Sequence, residues 1–340
     1  MRTVETLTDM DSRIKNLLWF GVSTAIIAGL VYFSDIGQFV NALKTANPVP
    51  MIPSFVFGLS VFLVWTYTWF HFLRKIGIGI NYRKTLKLFM SGHFFNSITP
   101  MGQFGGEPVM ALILSRNTEA DYESSLSAVL SSDIMNAIPT FTFVIGGSIF
   151  LLLFGSVNDI IMQTLYVALV VMALGAVFVY TLWFKAGRIE RMILKILKSV
   201  SNLLNRGESI VESADKSLDR LQEAFAAIGE NPRELLKAGA IAHAGFFSQL
   251  LSLYFVMMAL GHPTDFTPLY FVLSISMVSS FAPTPGGQGF FEATMAAMLT
   301  LLVGVSFATA MAAAILFQMT TYWPGILLGY IAVNRLETGI

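Results

Sequence analysis

Apolar and polar residues fall into long blocks along this chain, with neither the two-residue alternation of a strand nor the striped face of a surface helix. Apolar runs at about 16–33, 53–73, 124–154, 160–184, 234–260 and 305–333 approach or exceed the roughly 20 residues a helix needs to cross about 30 Å of hydrocarbon. Two further runs, Leu88 to Ile98 and Leu269 to Phe281, are too short to cross. Each stops at a polar stretch rich in Gly and Pro and then resumes, over Pro108 to Leu114 and Phe290 to Val303. The pattern predicts two half-helices around a break in each case, a re-entrant hairpin. Irregular backbone at membrane depth persists only where protein buries it or where it lines a watered cavity, so the breaks mark a working site.

The two breaks are related. Asn96-Ser-Ile-Thr-Pro-Met-Gly-Gln-Phe-Gly-Gly-Glu-Pro108 and Ala282-Pro-Thr-Pro-Gly-Gly-Gln-Gly-Phe-Phe-Glu292 share the pattern T-P-x-G-Q-x-x-x-E, with Thr99 on Thr284, Gly102 on Gly287, Gln103 on Gln288 and Glu107 on Glu292. An internal repeat outranks other readings of a sequence. Each half then reads as span, span, hairpin, span. Arg74, Lys75, Arg83, Lys84 and Lys87 crowd one short loop with no acid among them, which places that loop in the cytoplasm. The first hairpin then enters from the cytoplasm and the second from outside, the plan of many transporters with a site near the midplane. The predicted fold is an all-α polytopic membrane protein of about six full spans plus two re-entrant helical hairpins in an inverted repeat, with both termini inside.

This plan divides the chain into a cytoplasmic arm at 1–15, a first membrane repeat at 16–154 with its break at 96–108, and a second repeat. The second repeat comprises 155–184 and 234–335, with its break at 282–292, and an amphipathic helical insertion at 185–233 lies on the cytoplasmic side. Within the insertion Ile189, Met192, Ile193, Ile196, Leu197 and Val200 keep helical spacing while Lys185, Arg188, Arg191, Lys195 and Lys198 crowd the remaining face. Such a helix suits an anionic leaflet. In Asn231-Pro-Arg-Glu234 the residues fit an N-cap, a first-turn proline and a capping-box glutamate that open the next span.

Composition agrees with lipid burial. Hydrophobic residues make up 55% of the chain and charged residues 12%, about half the roughly 25% of soluble domains. Net charge is zero and cysteine is absent, which removes thiolate metal sites, disulfides and a cysteine nucleophile and gives no ground for a nucleic-acid partner. No catalytic residue, metal site or cofactor is predicted.

The candidate chemistry lies at the breaks. Gly102, Gly105, Gly106, Gly286, Gly287 and Gly289 would let the backbone turn sharply and approach a ligand, or would only permit tight packing of the hairpins. Amides at the starts of the outgoing half-helices would suit an anionic group such as a lipid phosphate, with Asn96, Thr99, Gln103, Thr284 and Gln288 adding neutral hydrogen bonds. Glu107 and Glu292 are ionisable groups at membrane depth, a functional signal by default, or caps of their half-helices. Asp133 and Asn136 lie one turn apart in the third span and would line the cavity or bond within the bundle. His93 is a packed helix residue or a partner for Glu107.

At these motifs the chain resembles the flippase-like transmembrane family typified by the membrane region of lysylphosphatidylglycerol synthases, the multiple peptide resistance factors. Asn96, Thr99-Pro100-x-Gly102, Gly105-Gly106-Glu107-Pro108 and Pro285-Gly286-Gly287-x-Gly289-x-x-Glu292 carry the resemblance, which covers about residues 12 to 335. It implies movement of a phospholipid or a polyprenyl-phosphate-linked precursor between the leaflets of the cell membrane. Two departures qualify it: the chain stops at Ile340, so no aminoacyl-transfer domain follows and lipid aminoacylation is not expected, and Ser132-Asp133 stands where many relatives carry an acidic-Arg pair. The expected activity is a lipid flippase working by alternating access and not an enzyme, either as a monomer or as a homo-oligomer. The competing readings are a membrane-embedded transferase acting on a lipid phosphate, and a non-transporting partner subunit of a lipid synthase.

Overall fold

The computed structural model describes residues 21–75, 77–99, 106–154, 232–279, 282 and 284–336, with isolated helical positions at 166, 170, 173 and 177. Residues 185–231 of the insertion, the N-terminal arm, most of the expected span at 160–184, and Pro100 to Gly105 of the first break, including Gly102, Gln103 and Gly105, lie outside the described residues. Among the described residues every regular element is helical.

The first described helix, α1 (Gly21–Phe33), meets α2 (Ile36–Thr45) at a bend of 97°. Asp35 makes that corner: it adopts φ 72°, and its carboxylate caps α2 by accepting from the Gln38 amide at 3.1 Å. The apolar runs of the sequence leave 34–52 between two spans, and the structure places a helix there. Ile36, Phe39, Val40 and Leu43 keep helical spacing, and Phe39 packs into the core of the second half. Next, α3 (Pro48–Lys75) starts earlier than expected, with the Asn47 side chain accepting from the Val49 amide, so Pro53 lies inside the helix and not at its start.

Helix α4 (Tyr82–Ile98) also starts earlier than its apolar run, because Asn81 caps it through the Lys84 amide at 2.9 Å and draws Arg83, Lys84 and Lys87 into helix. It ends at Thr99, just before Pro100. After the first break come α5 (Glu107–Asn117) and α6 (Tyr122–Phe154), the latter capped by Asp121 through the Ser124 amide. The second half contains α7 (Pro232–Ala259), α8 (Phe266–Ser279), a 3-10 turn at Pro285–Gly287, α9 (Phe290–Val303) and α10 (Phe307–Val333). The expected capping box rests on Asn231, which lies outside the described residues; the Glu234 carboxylate meets Lys237 at 2.8 Å and His71 at 3.4 Å. Among the described residues three helices are long and apolar enough to span a membrane, at Pro48–Lys75, Arg233–Ala259 and Phe307–Val333, or four if α1 and α2 together make one bent span. The chain is therefore a multi-pass helical membrane protein.

Two hydrophobic cores form, one per half. Trp69, Phe72, Leu88, Ile113, Leu114 and Met135 anchor the first, from α3 to α6. Leu253, Met257, Leu269, Met295, Met311 and Phe317 anchor the second, from α7 to α10. Helices α3 and α7 join them. Ser54 meets Ser252 near one end and His71 meets Glu234 near the other, so these two helices run antiparallel. Packing partners repeat between the halves: α3 packs on α4, α6, α7 and α10, and α7 on α8, α10, α3 and α6. Likewise α4 packs on α5, α3 and α10, and α8 on α9, α7 and α6.

Small and hydroxyl residues make the seam possible. A Cβ on Gly58 would stand 2.8 Å from the Thr320 carbonyl carbon, so α3 and α10 touch backbone to backbone there. Beside it Ser54 Oγ, Ser252 Oγ and Thr320 Oγ1 form a fully buried chain at 3.0 and 2.9 Å, closed by donation from Thr320 to the Phe317 carbonyl.

Candidate functional site

The second break is a closed, self-bonded turn. Gly286, Gly287 and Gly289 adopt φ of 59°, 69° and 88°, a region that side-chain-bearing residues avoid. At Gly286 a Cβ would also stand 2.5 Å from the Tyr322 ring, so conformation and packing both require glycine there. The Thr284 hydroxyl donates to the Gln288 carbonyl at 2.9 Å. The amides of Gly287 and Gln288 bond to Thr284 and Pro285 within the turn, at 3.0 and 3.1 Å. Glu292, 1% exposed, accepts the Gly289 amide at 2.6 Å through one oxygen and the Gln318 side-chain amide at 3.2 Å through the other. This acid is a capping-box residue with both oxygens bonded. The amides of 287–289 are thus already used within the turn, and Gln288 Nε2 is the buried polar atom of this turn left without a partner.

The first break differs although its motif is the same. Thr99 donates to the Phe95 carbonyl at 2.6 Å and so finishes α4. Gly106 abuts the end of that helix, where an added Cβ would stand 2.5 Å from Asn96 Cα and 2.6 Å from its Cβ. Glu107 opens α5 at 4% exposure, yet its Oε2 makes no hydrogen bond. Leaving a buried carboxylate oxygen unpaired costs at least as much as a neutral group, about 1–3 kcal/mol, so such an atom calls for an explanation. The unpartnered, buried Oδ1 atoms of Asn96 and Asn136 share this region with it. The Trp69 indole Nε1, on α3, is likewise buried and without a hydrogen-bond partner.

The breaks meet through Tyr322 of α10. Its hydroxyl donates to the Ser97 carbonyl at 3.0 Å, in the last turn of α4, while its ring covers Gly286. The 3-10 turn itself packs on α4.

Of the histidines, His93 is boxed by Phe62, Trp65 and Phe89, with Nε2 at 3.5 Å from Ser97 Oγ, and it makes no ion pair with Glu107. Its packed reading holds. His243 bridges Thr142 at 2.8 Å and the Gly239 carbonyl at 2.7 Å. Sequence reasoning passed over Trp69, Tyr322 and Gln318, whose roles depend on distant contacts. It also passed over Ser125, Ser127 and Ser131, fully buried on α6 with unbonded hydroxyls, although the serine-rich start of the third span was a visible signal. Apart from the breaks, an apolar crevice of about 510 Å³ opens between α6, α7 and α8, lined by Gly146, Phe247, Leu250, Phe266 and Tyr270. It contains none of the predicted site residues.

A UPF0104 membrane protein of Pyrococcus horikoshii is 23% identical over 94% of this chain and 96% of its own length. Another from Archaeoglobus fulgidus is 24% identical over 92% and 94% respectively, and a third from Methanocaldococcus jannaschii is 21% identical over 96% of each. Residues 20–329, both breaks included, match the family described as the lysylphosphatidylglycerol synthase TM region, and the chain belongs to that family.

Proposed function

We propose that the protein is a lipid transporter of the cytoplasmic membrane, passing the polar head of a phospholipid or polyprenyl-phosphate-linked lipid between leaflets along the paired breaks. One observation carries this reading: two breaks far apart in sequence come together at Tyr322, and one of them presents a buried glutamate oxygen with no partner. A buried polar group left open in an otherwise close-packed bundle suits a group that receives a ligand. The repeated packing partners and the antiparallel course of α3 and α7 support two inverted halves around one site, as alternating access requires. The crevice between α6, α7 and α8 supplies apolar surface where a lipid tail would stay while its head moves. The Glu292 carboxylate has both oxygens bonded while Glu107 keeps one unbonded, which favours the first break as the side that grips the head.

Vesicles reconstituted with the full chain and fluorescent phospholipids test the proposal. Quenching from outside should proceed past the outer leaflet, and Glu107→Gln should slow this exchange at least tenfold while the protein remains folded. Equal exchange in empty vesicles would overturn the reading, and appearance of a chemically new lipid would favour a membrane-embedded transferase.

A further inference from the structure

Between Asp35 and Glu107 the sequence contains no acidic residue, and Arg74, Lys75, Arg83, Lys84 and Lys87 gather in that stretch. The fold puts these bases at one corner. Arg74 and Lys75 end α3, and Arg83, Lys84 and Lys87 fall in the first two turns of α4. Between the helices the Ile78 amide bonds back to the Leu73 carbonyl at 2.9 Å and the Gly77 amide to the Arg74 carbonyl at 3.2 Å, with Gly77 at φ 85°. Ile78 is buried in the first core and the Asn81 cap fixes the start of α4, so the corner is held from both sides.

Aromatic contacts bring the two groups of bases together. The Arg74 guanidinium lies over the Phe70 ring, 5.5 Å from its centre, and the Tyr82 ring meets the same Phe70 edge-on at 5.8 Å. Tyr82 is fixed in turn by donation from its hydroxyl to the Leu63 carbonyl at 2.8 Å. Arg74 and the start of α4 thus share one aromatic platform, and the exposed Tyr67 packs beside it, 6.3 Å from Phe70. Tyrosines of this kind mark the level where hydrocarbon gives way to headgroups. Arg74, Lys75, Arg83 and Lys84 are exposed and Lys87 is partly so, and none of the five forms an ion pair among the described residues. Glu234, the acid that meets α3 at His71, is taken by His71 and Lys237.

Like charges held at one corner repel one another, and Arg83, Lys84 and Lys87 stand at the end of α4 where the helix dipole disfavours cations. A bias of loop charge is enough to orient the chain in the membrane and does not require the bases to be fixed around a shared platform. We infer that this corner binds the phosphate head of an anionic phospholipid in the cytoplasmic leaflet. The bases flank two membrane helices at the level of the aromatic rings, and clusters of four or more Lys and Arg at the cytoplasmic end of a membrane helix attract anionic headgroups. A nucleic acid or a soluble acidic protein would have to reach the same charges at the depth of the lipid heads, where the leaflet already supplies phosphate. Helix α4 runs from this corner to the first break, 17 residues or about 25 Å. The bound lipid therefore sits at the cytoplasmic entrance of the first hairpin. The inference stands without the transport reading, because it concerns a lipid held at rest.

Native mass spectrometry of the full chain in detergent micelles tests this, with phosphatidylglycerol or phosphatidylcholine added in steps so that the first bound lipid is counted and its affinity read. The expected result is a first phosphatidylglycerol bound at least tenfold more tightly than the first phosphatidylcholine. Arg83→Gln, Lys84→Gln and Lys87→Gln combined should bring the two lipids to parity while phosphatidylcholine binding stays as it was. Arg74→Gln with Lys75→Gln removes the other side of the corner and should act in the same direction, which keeps the test decisive if the first variant does not fold. Lys195→Gln with Lys198→Gln, in the basic insertion, should leave the preference in place. No preference in the unmodified chain overturns the inference. So does a preference that survives in a folded corner variant, or one that is lost with Lys195 and Lys198 instead. No lipid has to change leaflet in this measurement, so failure of lipid exchange with the preference intact would count against the transporter and not against this site.

Discussion

Glu107 and Glu292 occupy the same place in one motif and have different chemistry. Glu292 is held by the Gly289 amide and by Gln318, a residue of another helix. Glu107, at the start of α5, keeps one oxygen unbonded. Removing the second acid should therefore damage folding and removing the charge of the first should not. Glu292→Ala is expected to lower stability by about 1–3 kcal/mol, from a lost cap and a stranded Gln318 amide. A drop in the thermal midpoint of detergent-purified protein would show it; an unchanged midpoint would mean the turn is held by Thr284 and the glycines alone. Both acids were legible as candidates from the repeated T-P-x-G-Q-x-x-x-E. Which one has both oxygens bonded was not legible, because the deciding partner, Gln318, lies outside the motif.

At the scale of elements, long apolar blocks located the main helices, and caps decided their ends. Asn47, Asn81 and Asp121 each drew a helix start upstream of the apolar run or fixed it there. Helix α2 was missed because a short helix between two spans reads as a connection until its apolar face finds α10. The joint between α3 and α10 depends on Gly58, which brings backbone against the Thr320 carbonyl. Gly58→Leu should force these helices apart and destabilise the protein by about 1–3 kcal/mol, the usual range for overpacking. Resistance to thermal unfolding measures this, and a variant as stable as the parent would show that α10 shifts freely on α3.

For the whole molecule, the packing partners of α3 to α6 recur among α7 to α10, and the matching helices α3 and α7 run in opposite directions. An inverted pair predicts that corresponding loops lie on opposite sides of the membrane. Single cysteines at exposed Arg83 and at exposed Gly304, in a chain that has no cysteine of its own, should label with an impermeant thiol reagent from opposite faces of sealed vesicles. Labelling of both from one side would contradict the inversion.

By itself the sequence determined the class, since 55% hydrophobic and 12% charged residues in blocks of membrane length leave a helical membrane bundle as the stable form. It also determined the paired breaks, because glycine and proline act locally through backbone conformation. The tertiary structure alone decided that the breaks touch, through Tyr322 reaching from α10 to Ser97 and Gly286. It likewise decided that the chemically open acid is Glu107. The reason is physical: a side chain's remaining hydrogen-bond capacity depends on which distant groups the packing brings to it.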